Sequence, residues 1–413
     1  MYRLMEDIYM TNPLLSISFK GNCGLTGHVV VDSIVNGTSS GGVRIVPDLE
    51  IKEVRMLAAE MTLKYAFCGL PRGGAKCGIR MPADFTREQR LAALEDVGRR
   101  LRVIISSGIY YPGMDMNCGP EELEAIYRGA GFTVGKVTDT SLYTAVFAAE
   151  AVRACADVVF PGQNGPLTLA VEGFGKVASH LAEMLEPERF RIVGLSTVRG
   201  AVHHPDGFSL TALRDSRLVH GDALIEHLPG RKLESTEDAL YLPVDILVPA
   251  ARVGSIRMGN VGRVEARCVV SVANAPCAPE ALEALHRRKI PVLPGFVGNA
   301  GGVLGSSLFD RGVSHPNVQR IAAGPYRQAV SALLRRSAEL GRQPEELARR
   351  AAHEIIGARR EGPMSVVAGL RERLARRFTL ARRYVYRHAA RDCARHFAHV
   401  VESIRLMTAD TAL

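Results

Sequence analysis

The sequence predicts an α/β protein with two domains, the second of which contains a doubly wound parallel sheet. Three observations support this prediction. The chain has 413 residues, which is too long for one ordinary hydrophobic core. Between about residues 139 and 300, short apolar stretches alternate with helical patterns, as in parallel sheets covered by helices. One of these stretches ends at a glycine-rich turn, residues 173–178.

The composition is that of a soluble globular protein, with 47% hydrophobic and 23% charged residues. No stretch approaches the roughly 20 apolar residues that span a bilayer, and the first residues lack the apolar core of a signal peptide. Eight cysteines are scattered without a C-x-x-C pair or a Cys/His cluster at zinc spacing. We therefore expect a cytoplasmic protein with reduced thiols and no metal site.

The N-terminal part, residues 1–138, mixes strand-like and helical patterns. The apolar run 28–35 predicts a strand, and apolar residues at helical spacing predict a helix from about Glu50 to Tyr65. A glycine-rich loop over 71–78 follows. Further helices are predicted from about Thr86 to Ser106 and from about Pro120 onward.

The second part, residues 139–300, should begin with a helix from about Leu142 to Val158. Short apolar runs bounded by glycine or proline then predict buried strands. These strands are LTLAVEG (167–173), RIVGLS (191–196), DILVP (245–249), CVVSVAN (268–274) and PVLPG (291–295), with a helix at Lys176–Leu185 between the first two.

The turn between the first strand and its helix has the pattern G-x-G-x-x-A. Gly173 would allow the tight turn, Gly175 would let backbone N–H groups approach a pyrophosphate, and Ala178 would let helix and strand pack closely. Such a pattern alone is weak, and an ordinary tight turn is the alternative. The strand before it and the helix after it favour a dinucleotide site of the Rossmann type.

The cofactor preference depends on the end of the next strand, where an acid commonly binds the ribose of NAD. The chain has Thr197 and Arg199 there, and no carboxylate. An arginine suits a 2′-phosphate, which favours NADP over NAD unless Arg199 points to solvent.

Two lysines and an aspartate are candidate functional residues. Lys76 lies among glycines that would allow a substrate to approach closely, and a dry pocket would lower the pKa of its amine. A phosphate-binding loop is the alternative, but the G-x-x-x-x-G-K-[ST] spacing is absent. Lys64 at the end of a helix could be a surface lysine, and Asp115 could be a turn residue.

Several motifs in order resemble the glutamate/leucine/phenylalanine/valine dehydrogenase family, over roughly residues 35–345. The motifs are GGVR (41–44), MTLK (61–64), PRGGAKCG (71–78), PGMDMN (112–117), TDTSLYTAVFAAEAV (138–152), VEGFGKVA (171–178), ANAPCAPEA (273–281) and GNAGGV (298–303). This set is far more specific than any single motif.

The resemblance implies the role of each residue. Lys64 would bind the substrate α-carboxylate, Lys76 would be the catalytic lysine, and Asp115 would relay protons to and from the amino group. Hydride transfer to the nicotinamide would give an iminium, which a water activated by Lys76 would hydrolyse to a 2-oxo acid and ammonia. Domain closure would exclude water. The same resemblance implies a homo-oligomer and places the substrate beside Gly41 and Gly42.

The implied cofactor residues lie in the second part of the chain. Beyond the glycine turn, the resemblance places the nicotinamide and its ribose near several further side chains and backbone positions. The full set comprises Gly173, Phe174, Gly175, Lys176, Val177, Thr197, Arg199, Thr144, Ala250, Asn274 and Asn299.

The chain departs from the family at positions that bear on the substrate. Glutamate dehydrogenases have a lysine before the GG-x-R motif, whereas this chain has Ser40. Loss of that cation disfavours a buried side-chain carboxylate, so we expect a substrate other than glutamate. Gly295 and Gly298 replace larger residues, which suggests room for an aromatic, branched or specialised side chain. A glutamate enzyme with a rearranged site is the alternative.

The chain ends in a helical region, 301–358, expected to return to the substrate domain, and a basic tail, 359–413. The net charge of +9 is concentrated after residue 331. Packing on the body or on another subunit is favoured over an anionic partner such as nucleic acid. A cofactor-binding protein without turnover is a further hypothesis, disfavoured by the intact lysines. The tail's apolar residues are Leu374, Phe378, Leu380, Val385, Phe397 and Val401.

Overall fold

The computed structural model describes residues 12–82, 84–133, 139–361 and 389–408. Contacts divide the chain into two compact units. Of the described residues, 12–133 and 355–361 belong to the first unit, and 139–354 and 389–408 belong to the second. Each unit contains its own sheet covered by helices, which confirms the predicted two-domain α/β class.

In the part of the chain that the structure describes, the first unit contains a five-stranded sheet and three helices that lie wholly within it. Its strands are β1 (Leu15–Lys20), β2 (Thr26–Val31), β3 (Ser39–Ile45), β4 (Gly73–Arg80) and β5 (Tyr110–Met114). Its helices are α1 (Ile51–Phe67), α2 (Arg87–Ser106) and α3 (Pro120–Gly129), with a 3-10 turn at Asn22–Gly24.

The strand order in this sheet is β1-β2-β4-β3-β5. β2 pairs antiparallel with both β1 and β4, whereas β3 pairs parallel with β4 and β5. Parallel strands need a crossover, and α1 connects β3 to β4. β4 is therefore the central strand, hydrogen-bonded on both sides.

Helices cover both faces of the sheet because apolar side chains alternate along its strands. Val29, Val31 and Ile79 belong to the core shared with α2 and α3. The side chain of Val30 points to the opposite face of the sheet and packs with Val54 and Ala58 of α1. A side chain of β4 thus faces either the α2–α3 layer or α1.

Local sequence signals fix the helix starts. The Thr86 side chain accepts the N–H of Gln89, and the Gln89 side chain accepts the N–H of Thr86, a capping box that begins α2. α3 has Pro120 in its first turn, and Glu122 accepts the N–H of Gly119 at 2.9 Å. Both helices begin within one residue of the predicted positions.

One expectation about this unit is wrong. The glycine-rich segment 71–78 was expected to be a loop, but from Gly73 onward it is strand β4. Its glycines serve close packing against α1: a Cβ added to Gly74 would lie 2.1 Å from the backbone N of Thr62, and one added to Gly78 would lie 2.6 Å from Cγ2 of Val54. Lys76 is thus held on a rigid central strand.

The second unit contains a seven-stranded sheet with helices around it. Its strands are β6 (Leu167–Glu172), β7 (Phe190–Thr197), β8 (Gly200–His203), β9 (Arg231–Leu233), β10 (Ile246–Pro249), β11 (Cys268–Val270) and β12 (Val292–Leu293). Its helices are α4 (Thr140–Val159), α5 (Lys176–Met184), α6 (Leu210–His220), α7 (Leu224–His227), α8 (Pro279–Arg287), α9 (Gly295–Gly298), α10 (Gly301–Asp310), α11 (His315–Ile321), α12 (Arg327–Leu340), α13 (Pro344–Glu361, which runs into residues of the first unit) and α14 (Ala389–Leu406).

The strand order is β12-β11-β10-β6-β7-β8-β9. The first five strands of this order are parallel, as predicted. At one edge the sheet carries two strands that the sequence did not predict, β8 and β9, which are antiparallel and follow a tight turn after β7. Successive strands are added on one side of β6 from β7 to β9 and on its other side from β10 to β12. Ligands of open α/β sheets bind at such a switch point in strand order.

The predicted return of 301–358 to the substrate domain stays a prediction. Residues 301–354 belong to the second unit, and α13 continues into residues 355–361, which belong to the first. Within the second unit α10 packs closely on α4: a Cβ added to Gly301 would lie 2.0 Å from the carbonyl oxygen of Tyr143, and one added to Gly305 would lie 2.6 Å from the Tyr143 Cβ. Glycines at these positions allow the two helices to touch.

The described part of the basic tail, α14, packs on the second unit. Phe397 is fully buried, with its ring 5.8 Å from that of Tyr326, and Val401 is half-buried. Arg336 donates from Nε to the carbonyl oxygen of Met407 at 3.0 Å. The other apolar residues singled out in the tail, Leu374, Phe378, Leu380 and Val385, lie outside the described residues. None of the helices in the described ranges is both long and apolar enough to cross a membrane.

We expect Phe397→Ala to lower the free energy of unfolding by about 3 kcal/mol, because it removes a large buried ring and leaves a cavity. Leu406→Ala on the same helix is the control, since Leu406 is 72% exposed, and it should change stability by less than about 0.5 kcal/mol. Urea unfolding followed by circular dichroism measures both. Equal effects of the two substitutions would show that α14 is not anchored through Phe397.

Candidate active site

Lys76 is buried on the central strand of the first unit. Its neighbours Ala75 and Cys77 face the α2–α3 layer, so the Lys76 side chain lies on the face covered by α1. The residue is 2% exposed, and a buried ammonium group needs a partner. Its Nζ lies 2.8 Å from Oδ2 of Asp115. The structure therefore brings together two of the residues that the sequence singled out.

Asp115 directly follows β5 in a tight turn, in which the Cys118 N–H donates to the Asp115 carbonyl oxygen at 3.0 Å. Its Oδ2 accepts a second hydrogen bond, from Nε of Arg44 at 3.0 Å. Burial alone would raise the pKa of Asp115. The positive charges of Lys76 and Arg44 outweigh burial and hold that pKa well below its usual range. Asp115 is therefore a carboxylate held between two cations.

Lys64 lies in the last turn of α1 and is almost completely buried. Burial, followed by the nearby charge of Lys76, lowers the pKa of Lys64 to about 8, and Glu60 acts in the opposite direction. Burial also lowers the pKa of Lys76, opposed by Asp115 and reinforced by Arg44. Two buried amines thus interact on one face of the sheet, and each loses its proton more easily than an exposed lysine.

Glycines of β3 make this cluster possible. A Cβ added to Gly42 would lie 2.6 Å from the Asp115 Cβ and 3.3 Å from the Lys76 Nζ. A Cβ added to Gly41 would lie 1.5 Å from the carbonyl oxygen of Ala75. Any side chain at Gly42 would therefore push Asp115 away from Lys76.

Ser40, at the position that suggested a substrate other than glutamate, is anchored by neighbouring aromatic residues. Its Oγ donates to the carbonyl oxygen of Tyr111 at 2.9 Å, and the phenol of Tyr65 lies close to it. The guanidinium of Arg72 lies 5.7 Å from the ring centroid of Tyr111. The surroundings of Ser40 are therefore polar and aromatic, with a cation close by.

In the second unit, the glycine turn has the geometry expected of a dinucleotide site. Gly173 has φ +89°, and a Cβ there would lie 2.6 Å from that of Ala251, whereas a Cβ on Gly175 would meet nothing within 4 Å. Open space above Gly175, at the start of α5, fits a pyrophosphate approaching the N–H groups of Lys176 and Val177. The Phe174 ring is buried, and the backbone N–H of Phe174 donates to the Ser196 carbonyl oxygen.

The end of β7 holds its polar groups in local contacts. The Thr197 hydroxyl donates to the Asp222 carbonyl oxygen at 2.7 Å and accepts the N–H of Arg199 at 3.1 Å. Nη2 of Arg199 lies 2.9 Å from Oε1 of Glu226, and both side chains are more than half exposed. Arg199 thus stays beside the strand end in a surface ion pair, which contributes little to stability.

The remaining cofactor candidates lie near the carboxyl ends of the central strands or at the start of α4. Ala250 follows β10, and its N–H donates to the Glu172 carbonyl oxygen at 2.7 Å. The Asn299 side-chain amide donates to Asn274 Oδ1 at 2.9 Å, while its own Oδ1 is buried without a hydrogen-bond partner. The Thr144 hydroxyl donates back to the Thr140 carbonyl oxygen at 2.8 Å. A buried acceptor without a donor fits a site that receives a polar ligand.

The interpretation of Gly295 and Gly298 is wrong. A Cβ on Gly295 would lie 2.2 Å from the Ala273 carbonyl oxygen, and one on Gly298 would lie 2.1 Å from that of Ser271. These glycines let α9 pack against the segment after β11 and do not open space for a substrate. They therefore give no support for an aromatic or bulky side chain.

Two residues near the sites were not predicted from the sequence. Arg44 was quoted only as part of a motif, yet it contacts both Asp115 and Glu53. Glu172 ends β6 immediately before the glycine turn, and its Oε2 accepts the Ala251 N–H at 3.3 Å. Burial raises the pKa of Glu172 to about 7. In the sequence, Glu172 could have been noticed as an acidic residue at the end of an otherwise apolar strand.

Lys64→Met should raise the free energy of unfolding at pH 7 by about 2 kcal/mol, because the buried ammonium is less stable in the folded than in the unfolded chain. The folded pKa is about 8 and the ordinary value is 10.5. The cost is therefore complete below pH 8 and disappears as the pH rises toward 10.5. Urea unfolding at pH 7 and pH 10 measures this difference, with the exposed Lys52→Met as the control. A loss of stability at pH 7 would contradict the prediction.

Comparison with known proteins gives matches to two family models and to individual relatives. Residues 14–130 match the Glu/Leu/Phe/Val dehydrogenase dimerisation domain, and residues 133–309 match the glutamate/leucine/phenylalanine/valine dehydrogenase model. A glutamate dehydrogenase of Thermotoga maritima is 35% identical over 298 residues, 67% of this chain and 70% of the relative. An NADP-specific glutamate dehydrogenase of Saccharolobus shibatae is 30% identical over 289 residues, 65% of this chain and 67% of the relative.

Two solved structures have the same fold. The hetero-hexameric glutamate dehydrogenase of Thermus thermophilus in a Leu-bound form has a TM-score of 0.69 at 24% identity, covering 84% of this chain and 90% of that one. L-tryptophan dehydrogenase of Nostoc punctiforme has a TM-score of 0.60 at 19% identity, covering 87% and 100%. At these identities the likeness bears on the fold alone. With both family models matched and the Thermotoga relative aligned over two thirds of its length, the chain belongs to the glutamate/leucine/phenylalanine/valine dehydrogenase family.

Proposed function

We propose that the protein catalyses the NAD(P)-dependent oxidative deamination of an L-amino acid, and the reverse reductive amination. The amino acid, water and oxidised cofactor give a 2-oxo acid, ammonium, reduced cofactor and a proton. The observation that carries the proposal is the buried pair of Lys76 and Asp115 at 2.8 Å, beside a second buried amine, Lys64.

Each residue of the cluster has a chemical role in this proposal. Lys64 in its ammonium form binds the α-carboxylate of the amino acid, whose negative charge offsets the cost of burying the ammonium. Asp115 accepts a proton from the substrate amino group. Lys76, as a free amine, removes a proton from the water that attacks the substrate iminium carbon. As an ammonium it then stabilises the developing alkoxide. The carbon–nitrogen bond breaks and ammonia leaves with a proton returned through Asp115.

The dinucleotide supplies the acceptor for the hydride that leaves the substrate Cα. Residues that would hold it are Gly175 and the first turn of α5 for the pyrophosphate, and Asn274 and Asn299 for the nicotinamide end. NADP is favoured over NAD because Arg199 lies at the end of β7, where a 2′-phosphate could replace its exposed partner Glu226. The NADP-specific relative from Saccharolobus shibatae is consistent with this preference.

The proposed substrate is an amino acid other than glutamate, because Ser40 provides no cation for a side-chain carboxylate and its hydroxyl is bound to the Tyr111 carbonyl oxygen. One observation favours the alternative, a glutamate enzyme with a rearranged site. Arg72 lies against Tyr111, and the Thermotoga and Saccharolobus relatives described above are glutamate dehydrogenases. Arg72 is the residue that would supply the cation in that case.

The proposal includes a homo-oligomer in the cytoplasm. The match of residues 14–130 to a dimerisation domain supports the oligomer. The seven cysteines that the structure describes by their bonding state are buried and form no disulfide, which is consistent with a reducing compartment.

Reductive amination tests the activity directly. Protein, ammonia, NADPH or NADH and a panel of 2-oxo acids should consume reduced cofactor, followed by absorbance. Lys76→Ala should lower kcat by at least about a hundredfold, because general acid–base catalysis is lost, while binding of the cofactor remains. Turnover of Lys76→Ala within twofold of the parent protein would sink the proposed mechanism.

Ser40→Lys tests the substrate assignment. The added ammonium should raise kcat/KM for 2-oxoglutarate, relative to neutral 2-oxo acids, by about tenfold or more, whereas the control Ser40→Met should not. Steady-state rates across the panel measure the ratio. If the parent protein already prefers 2-oxoglutarate, and Arg72→Gln abolishes that preference, the alternative with Arg72 as the cation replaces the present proposal.

A further inference from the structure

Arg44 is a buried cation that the proposed mechanism does not use. It lies on β3 and is 5% exposed. Its Nε donates to Oδ2 of Asp115 at 3.0 Å, and its Nη1 is ion-paired with Oε1 of Glu53 in the first turn of α1. The guanidinium therefore joins the start of α1 to the loop after β5.

Arg44 and Lys76 share one oxygen atom. Oδ2 of Asp115 accepts from the Arg44 Nε and from the Lys76 Nζ, at 3.0 and 2.8 Å. Without Arg44, Asp115 and Lys76 would form a simple buried ion pair, in which the carboxylate holds the proton on the amine. With Arg44 present, the charge of the carboxylate is already balanced by a group that does not titrate.

We propose that Arg44 is a positioning residue that shares Asp115 with Lys76 and so leaves the Lys76 amine free to act as a base near neutral pH. Glu53 holds the far end of the guanidinium and fixes its orientation. This inference rests on the proposed function, since it concerns the same catalytic lysine. It goes beyond that function because it makes Arg44, which has no role in the proposed mechanism, responsible for the pH range in which Lys76 acts as a base.

The charged groups around Lys76 agree with this assignment. Arg44 adds to the effect of burial in lowering the pKa of Lys76, and Asp115 acts against both. From the α2–α3 face of the sheet, the Cys77 thiol acts on the pKa of Lys76 in the same direction as Asp115. The titratable groups around the cluster, within the described residues, are Lys64, Glu60, Cys68 and Glu53 from α1 or its end, Arg44 from β3, Asp115 and Cys118 from the loop after β5, and Cys77 from β4 itself.

The test compares three variants at this site. Arg44→Met removes the charge, Arg44→Met/Glu53→Gln removes it together with its second partner, and Arg44→Lys keeps a charge without the planar fork. The double variant leaves no unpaired Glu53 carboxylate, so it should fold even if Arg44→Met does not. Arg99→Gln, which changes an exposed arginine of α2 with surface ion pairs, is the control.

The activity measurement is the pH profile of kcat for deamination. In Arg44→Met and in the double variant, the acidic limb should move to higher pH and kcat at pH 7 should fall about tenfold or more. Arg44→Lys should keep the acidic limb near its original position with a lower plateau, because charge is retained and orientation is lost. A purely structural role would lower stability in all three variants without moving the limb.

The second measurement does not require turnover. Competitive labelling of amines with acetic anhydride over a pH series, followed by peptide mass spectrometry, gives the labelling midpoint of Lys76 against the exposed Lys52. The midpoint should move to higher pH in Arg44→Met and in the double variant, but not in Arg99→Gln. An unchanged midpoint in a folded variant overturns the role of Arg44. If the unmodified protein turns over no amino acid, the proposed function fails, and the midpoint still decides the inference about Arg44.

Discussion

The hydrogen bonds of Lys76 and Arg44 to one carboxylate oxygen of Asp115 are the interaction on which the first unit depends. Burying several cations in a small domain is unfavourable unless they are paired. Asp115 supplies the pairing. Because β4, β3 and β5 are neighbours in the sheet, Lys76, Arg44 and Asp115 come together on one face of it. Close packing by Gly42 is the geometric condition for this arrangement.

The two units meet different physical requirements. In the first unit, the buried charges of Lys76 and Arg44 are neutralised by Asp115. The chemistry proposed for this unit depends on the shifted pKa values of these buried groups. In the second, the glycine turn presents backbone N–H groups and open space beside Gly175, and a buried amide oxygen of Asn299 has no hydrogen-bond partner. That unit is suited to binding a polyanionic ligand by backbone dipoles, with few charged side chains of its own at the turn.

Much of this could be predicted from the sequence. Apolar periodicity and glycine spacing predicted the helices and the parallel strands, and the ordered motifs identified the family before any geometry was known. Other features required the structure. Alternation along a short glycine-rich segment does not distinguish a loop from strand β4, because glycines contribute no hydrophobic signal. The space around Gly295 and Gly298 could not be inferred either, since a glycine serves equally to admit a ligand or a neighbouring backbone.

The position of Lys76 on a central strand has a consequence for the durability of the site. Strand β4 lies between β2 and β3 and pairs with both, and Lys76 itself pairs with Val30 of β2. Amide hydrogens in such strands exchange with solvent only in the rarest, most extensive openings of a protein. Fraying of helix ends or surface turns therefore leaves the cationic cluster intact, and the site is retained until the sheet of the first unit itself comes apart.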